Sequence, residues 1–83
     1  MRYTVIWEPA ASSALRRLRA RDPEAVKPLV RAVNGLALDP EPAASAKLGG
    51  GLRRLHVGNY RATYRIDGDR IAVEVILVGK VPS

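Results

Sequence analysis

One stretch constrains this chain more than any other: Leu52-Arg53-Arg54-Leu55-His56-Val57-Gly58-Asn59-Tyr60-Arg61-Ala62-Thr63-Tyr64-Arg65-Ile66. Two alternating runs flank a Gly-Asn pair, the signature of a two-residue β-hairpin loop. With Gly58-Asn59 as the loop, Val57 pairs with Tyr60, Leu55 with Ala62, His56 with Arg61 and Arg54 with Thr63. Side chains alternate along a strand, so one face of the hairpin is apolar. The other face gathers Arg54, His56, Arg61 and Arg65, and Tyr60 and Tyr64 point into the core.

The chain before the hairpin supplies one strand and two helices. Tyr3, Val5 and Trp7 alternate with Arg2, Thr4 and Ile6 as in a half-buried strand. Pro9 suits the first position of a helix whose stripe is Ala11, Ala14, Leu15 and Leu18, ending near Asp22. Arg16, Arg17, Arg19 and Arg21 cover its other side. Asp22-Pro23-Glu24 is a second helix start, followed by Val26, Leu29, Val30, Val33 and Leu36 at helical spacing. Pro28 inside that run costs a backbone donor, so the helix bends there or its regular part begins there. Residues 39–51, carrying Pro40, Pro42 and Gly49-Gly50-Gly51, read as a long loop. No P-loop spacing follows the glycines.

After the hairpin, Asp67-Gly68 reads as a second two-residue turn. It pairs Ile66 with Asp69, Tyr64 with Ile71, Ala62 with Val73 and Tyr60 with Val75, and places Glu74 opposite Arg61. Ile71, Val73, Val75 and Leu77 then face the core. The expected fold is α+β, in the order β-α-α-β-β-β. The N-terminal strand and an antiparallel meander form one sheet, with an αα-hairpin on one face and the basic face open.

At 83 residues this is a single domain, 1–83. The absence of cysteine removes disulfides and thiolate chemistry and fits a cytoplasmic protein. A single histidine removes a multi-histidine metal centre, and no cofactor is expected. No apolar run is long enough for a membrane span, so no membrane partner is expected. Fourteen Lys and Arg against eight Asp and Glu give a net charge of +6, the balance of a domain that meets nucleic acid or an acidic protein.

On the residues Lys47-Leu48-Gly49, on 52–66 and on Val75-Ile76-Leu77-Val78-Gly79-Lys80, the chain resembles the RelE/ParE toxin superfamily. The likeness includes the opening strand and the helices closing at Leu38-Asp39-Pro40. It implies a cytoplasmic toxin of a bacterial type II toxin–antitoxin system. Its implied partners are a cognate antitoxin, the ribosome and mRNA, with higher-order toxin–antitoxin complexes. RelE-like members cut mRNA in the ribosomal A site without a metal. Arg61 matches the arginine that clamps the phosphate, Arg54 a basic position on the preceding strand, and His56 a polar or basic one. Imidazole can also exchange a proton near neutral pH, as an acceptor must. Arg53, Arg65, Lys47 and Lys80 are the further RNA contacts that this reading expects.

Leu52 stands where nuclease members carry a lysine, and Val81 where they carry an arginine. The tyrosine expected a few residues on has no counterpart, so a weakened nuclease is expected. The alternatives are a ParE-like toxin acting on DNA gyrase without catalysis, and a degenerate member that only binds its antitoxin.

Overall fold

A computed structural model of the chain describes residues 2–82. Seven elements follow in order: β1 (Thr4–Trp7), α1 (Pro9–Arg21), α2 (Lys27–Gly35), β2 (Ser45–Gly49), β3 (Leu52–Val57), β4 (Tyr60–Asp67) and β5 (Ala72–Lys80). The strands form one sheet ordered β1-β5-β4-β3-β2. β1 lies parallel to β5, and the other pairings are antiparallel. The expected α+β order is thus present, with one more strand.

Both helices cover one face of the sheet, α1 on β5 and α2 on β3 and β4. Ala11 and Ala14 are buried on α1, and their small side chains let its backbone approach the strands. Arg19 and Arg21 occupy its last turn, where cations oppose the negative end of the helix dipole. A short turn follows in which the Asp22 carboxylate accepts the Ala25 N–H at 3.1 Å. α2 then starts at Lys27, so Pro28 falls in the first turn, where its missing donor costs no intrahelical bond. Leu29, Val33 and Leu36 close over Leu55, Ala62, Tyr64, Val73 and Val75 to form the core. Tyr3, Val5 and Trp7 pack against it.

The hairpin register is the expected one at all four positions: Val57–Tyr60, His56–Arg61, Leu55–Ala62 and Arg54–Thr63. Gly58 has φ +56°, and Asn59 is not among the positive-φ residues. That is the requirement of a type II′ turn, whose twist suits the flanking strands.

Two expectations are corrected. Residues 39–51 are not all loop, because Ser45–Gly49 pairs with β3 as an edge strand. Its sequence, Ser-Ala-Lys-Leu-Gly, lacks the β-branched and aromatic residues that mark strands, so tertiary pairing rather than propensity makes it. Gly49, Gly50 and Gly51, with φ of +92°, +61° and +78°, carry the chain into β3 through a run of left-handed backbone.

The second correction concerns the turn between β4 and β5. Asp67 pairs with Ala72 and leaves a four-residue loop, because its carboxylate accepts the N–H groups of Asp69 (3.1 Å) and Arg70 (3.2 Å). Ile66 therefore pairs with Val73, and Tyr64 with Val75. The slip is even, so Val73 and Val75 still face the core, as expected. Beyond Tyr64 a β-bulge on the β5 side shifts the pairing to Thr63–Leu77, Ala62–Val78 and Tyr60–Lys80. An extra residue reverses the alternation beyond it. Val78 is buried and Leu77 lies 56% exposed, opposite to its expected core position. Ile71 likewise leaves the core for the loop end, at φ +51°.

Candidate functional site

The face of the sheet away from the helices carries the site. On β3 this face receives Leu52, Arg54 and His56, and on β4 it receives Arg61, Thr63 and Arg65, since Leu55, Ala62 and Tyr64 are buried on the other. Direct cross-strand neighbours have Cβ atoms about 4.5–5.5 Å apart and diagonal ones about 7–8 Å. His56 is the direct neighbour of Arg61, and Arg54 that of Thr63. The three residues expected to carry the chemistry, Arg54, His56 and Arg61, are brought together.

A shallow groove of about 420 Å³ lies between the hairpin and the end of β5, lined by Arg54, Arg61, Thr63, Leu77 and Val81 among others. Leu77 and Thr63 are the residues that the sequence reading did not assign to it. The bulge that turns Leu77 outward has no sequence mark of its own. Leu77 supplies an apolar floor beside two guanidinium groups, a combination suited to a nucleotide, which presents a flat ring and an anionic backbone.

The arginines differ in how they are held. Arg61 Nη1 donates to the carbonyls of Gly58 and Tyr60, each at 2.8 Å, which fixes its stem against the hairpin turn. Its Nε and Nη2 donate to no group of the described residues. Among the described residues Arg61 also forms no ion pair: Glu74 lies opposite Arg65, not opposite Arg61 as the shorter turn implied. Arg65 Nε stands 3.9 Å from Glu74 Oε1, a long pair between an exposed guanidinium and a half-buried carboxylate. Arg54 and His56 are exposed and make no side-chain bond among the described residues. The face therefore holds two unpaired guanidinium groups and an imidazole with both ring nitrogens open to a ligand.

Of the further RNA contacts expected, Arg53 and Lys47 lie on the helix side, while Lys80 lines the groove from the end of β5. Arg53 points to the helix side, where its Nε and Nη2 donate to Ser45 Oγ (3.1 and 2.9 Å) and its Nη1 to Glu41 Oε2 (3.2 Å). It is only 12% exposed and acts as a staple between β3, β2 and the segment before β2. Its place in the alternation, two residues before Leu55, already carried this orientation. Lys47 pairs with Arg53 and shares that side. Lys80 pairs with Tyr60, so the register also gives it the helix side at the end of β5.

Among the described residues no group of three or more His, Cys, Asp or Glu side chains is placed to hold a metal ion. No helix is long and apolar enough to cross a membrane.

Known proteins give this geometry a context. The family model described as ParE toxin of type II toxin–antitoxin system, parDE, matches residues 5–81. No curated protein sequence is significantly similar to the chain. Among solved structures, a chain of the RelBE2 toxin–antitoxin complex of Mycobacterium tuberculosis is 28% identical, with 96% of this chain and 99% of that one covered and a TM-score of 0.68. A chain of the archaeal RelE–RelB complex of Pyrococcus horikoshii shares the fold at 22% identity and a TM-score of 0.80, covering 96% of each chain. A chain of the chromosomal ParDE system of P. aeruginosa shares it at 17% identity and a TM-score of 0.77, covering 96% of this chain and 97% of that one. With nearly its whole length matched, the chain belongs to the ParE toxin family and is a type II toxin of the RelE/ParE superfamily.

Proposed function

We propose that the protein inhibits translation as a RelE-like, ribosome-dependent mRNA endonuclease, held in check by a cognate antitoxin in the cytoplasm. The observation that carries this reading is the meeting of Arg54, His56 and Arg61 on one open face beside a groove. Cleavage begins when the ribose 2′-oxygen attacks the adjacent phosphorus. His56 takes the 2′-hydroxyl proton. The guanidinium groups of Arg61 and Arg54 donate to the non-bridging oxygens as negative charge builds on the phosphorane. The bond from phosphorus to the 5′-oxygen then breaks, and that oxygen takes a proton, from the imidazolium or from water. The products are a 2′,3′-cyclic phosphate and a 5′-hydroxyl. Every atom and electron pair is accounted for without a metal.

Leu52 and Val81 place no cation where a nuclease profits from one, so turnover is slow. In a translation extract programmed with a defined mRNA, the protein cleaves within codons at the A site. Arg61→Ala lowers cleavage about 100- to 1000-fold, the usual loss for one donor to a transition-state oxyanion. Arg61→Lys restores only part of it, because an ammonium cannot both cap the turn and fork onto a phosphate. Intact mRNA in this assay at high toxin concentration refutes the proposal.

The family description favours a second reading, a ParE-like toxin acting on gyrase. It predicts intact mRNA and accumulation of cleaved gyrase–DNA complexes, unchanged by His56→Ala. Under both readings the antitoxin meets a chain of net charge +6, and its association slows as salt is added.

A further inference from the structure

A second concavity of the described residues is larger than the groove on the open face. It lies behind the end of β5, between that strand and α1, and encloses about 590 Å³. Its walls include Arg17 and Arg21, one turn apart on α1, and Lys80, with Leu18, Tyr60 and Val81 as apolar floor. Val78, Gly79, Lys80 and Val81 line both concavities, so the two are the front and back of a single ridge. The ridge is anchored: the Val81 N–H donates to the Asn59 carbonyl at 2.7 Å, tying it to the hairpin turn.

Around this ridge, cations have no ion-pair partner among the described residues. The four ion pairs of the described residues use Lys27, Arg53, Arg65 and Arg70. Arg17, Arg21 and Lys80 behind the ridge, and Arg54 and Arg61 before it, belong to none. The one carboxylate lining the rear groove, Asp22, is turned to the Ala25 N–H. Five cations without an ion pair among the described residues therefore follow one path: Arg54 and Arg61, then Lys80 at the crest, then Arg21 and Arg17. A row of cations above apolar patches suits a single-stranded polyanion with stackable bases.

We propose that an RNA strand seated on the open face continues over the Gly79–Val81 ridge into the rear groove, where Arg17 and Arg21 hold its phosphates. This rests on the RNA reading of the open face and extends it: Arg17 and Arg21 position the strand and do not touch the reacting atoms. Lys80, on the helix side of the sheet, is the link between the two grooves.

The test is binding of 2′-O-methyl RNA, which lacks the attacking hydroxyl, by fluorescence anisotropy across a salt series. Two single-stranded lengths are used, about four and about twelve nucleotides, within the range that small single-strand sites span. Arg17→Ala/Arg21→Ala is expected to weaken the longer RNA on the order of 10- to 30-fold near 0.1 M salt. It also reduces the log–log salt slope by about 1.4, two phosphate contacts' worth, and leaves the shorter RNA unchanged. Arg16→Ala/Arg19→Ala removes the same charge from α1 outside the rear groove and has a much smaller effect. Circular dichroism confirms that both pairs fold. If the two double variants bind alike while Arg54→Ala/Arg61→Ala weakens both lengths, the rear track is wrong and the open-face reading stands. If Arg54→Ala/Arg61→Ala changes neither length, both fail. Loss of affinity for an acidic peptide but not for RNA in Arg17→Ala/Arg21→Ala overturns the track in favour of a protein-docking groove.

Discussion

Tyr60 and Tyr64 are both inward-facing tyrosines of β4, yet only one hydroxyl has work to do. Tyr64 is fully buried, and its Oη donates to the Pro40 carbonyl at 2.6 Å, across 24 residues of chain. That bond ties the central strand of the sheet to the segment leading into β2. Tyr64→Phe removes the donor while keeping the ring, and leaves a half-buried carbonyl without its partner. Such a loss costs about 1–2 kcal/mol. For 83 residues the unfolding entropy is roughly 0.17 kcal/mol/K, so Tm should fall by about 6–12 °C. Tyr60→Phe is the control, since its hydroxyl donates to none of the described residues, and it should shift Tm by less than about 3 °C. Differential scanning calorimetry measures both. Amide exchange adds a local reading: the His56 N–H, bonded to Ala44 O at 3.0 Å, should lose protection in Tyr64→Phe before the β4–β5 amides do. Equal Tm values for the two variants would mean that water replaces the hydroxyl at Pro40, and the tie between β4 and the β2 segment would carry no energy.

Three further outcomes are expected. Ile71 is a β-branched residue at φ +51°, so Ile71→Gly should raise stability by about 0.5–1 kcal/mol in urea titrations, the relief of strain exceeding the entropy cost of glycine. Arg53→Ala should lower stability by about 1–2 kcal/mol, through the lost bonds to Ser45 and Glu41, while RNA affinity measured under native conditions stays within about twofold. Leu77→Ser should leave Tm nearly unchanged, because the side chain is already 56% exposed, but should weaken binding of single-stranded RNA several-fold; unchanged affinity would remove Leu77 from the groove's function.

The hairpin was legible because its turn and its alternation agree: Gly58-Asn59 fixes the register, and the register fixes the faces. Both helices were legible from spacing, but Asp22-Pro23-Glu24 starts only a turn, and the second helix begins at Lys27, so of the two readings of Pro28 the one without a bend holds. β2 was not, because Ser45–Gly49 is a strand only by virtue of the edge that β3 offers. Arg53 was misplaced for a different reason. Its charge suggested solvent, yet its parity with Leu55 sent it to the helix side, where Glu41 and Ser45 satisfy its donors. Parity was the stronger signal.

The turn after β4 has the largest consequence for function. A two-residue turn at Asp67-Gly68 sets Glu74 against Arg61, and a carboxylate there neutralises the one guanidinium best placed for a phosphate. Asp67 instead holds a longer turn by accepting two backbone N–H groups, which moves Glu74 four residues along and gives it to Arg65. The bulge beyond Tyr64 then turns Leu77 outward beside Arg54. One side-chain cap and one extra residue thus leave Arg61 without an ion pair among the described residues and set an apolar side chain in the same groove. The same two features that defeat a simple reading of the meander are what give its open face the free guanidinium that the proposed RNA site requires.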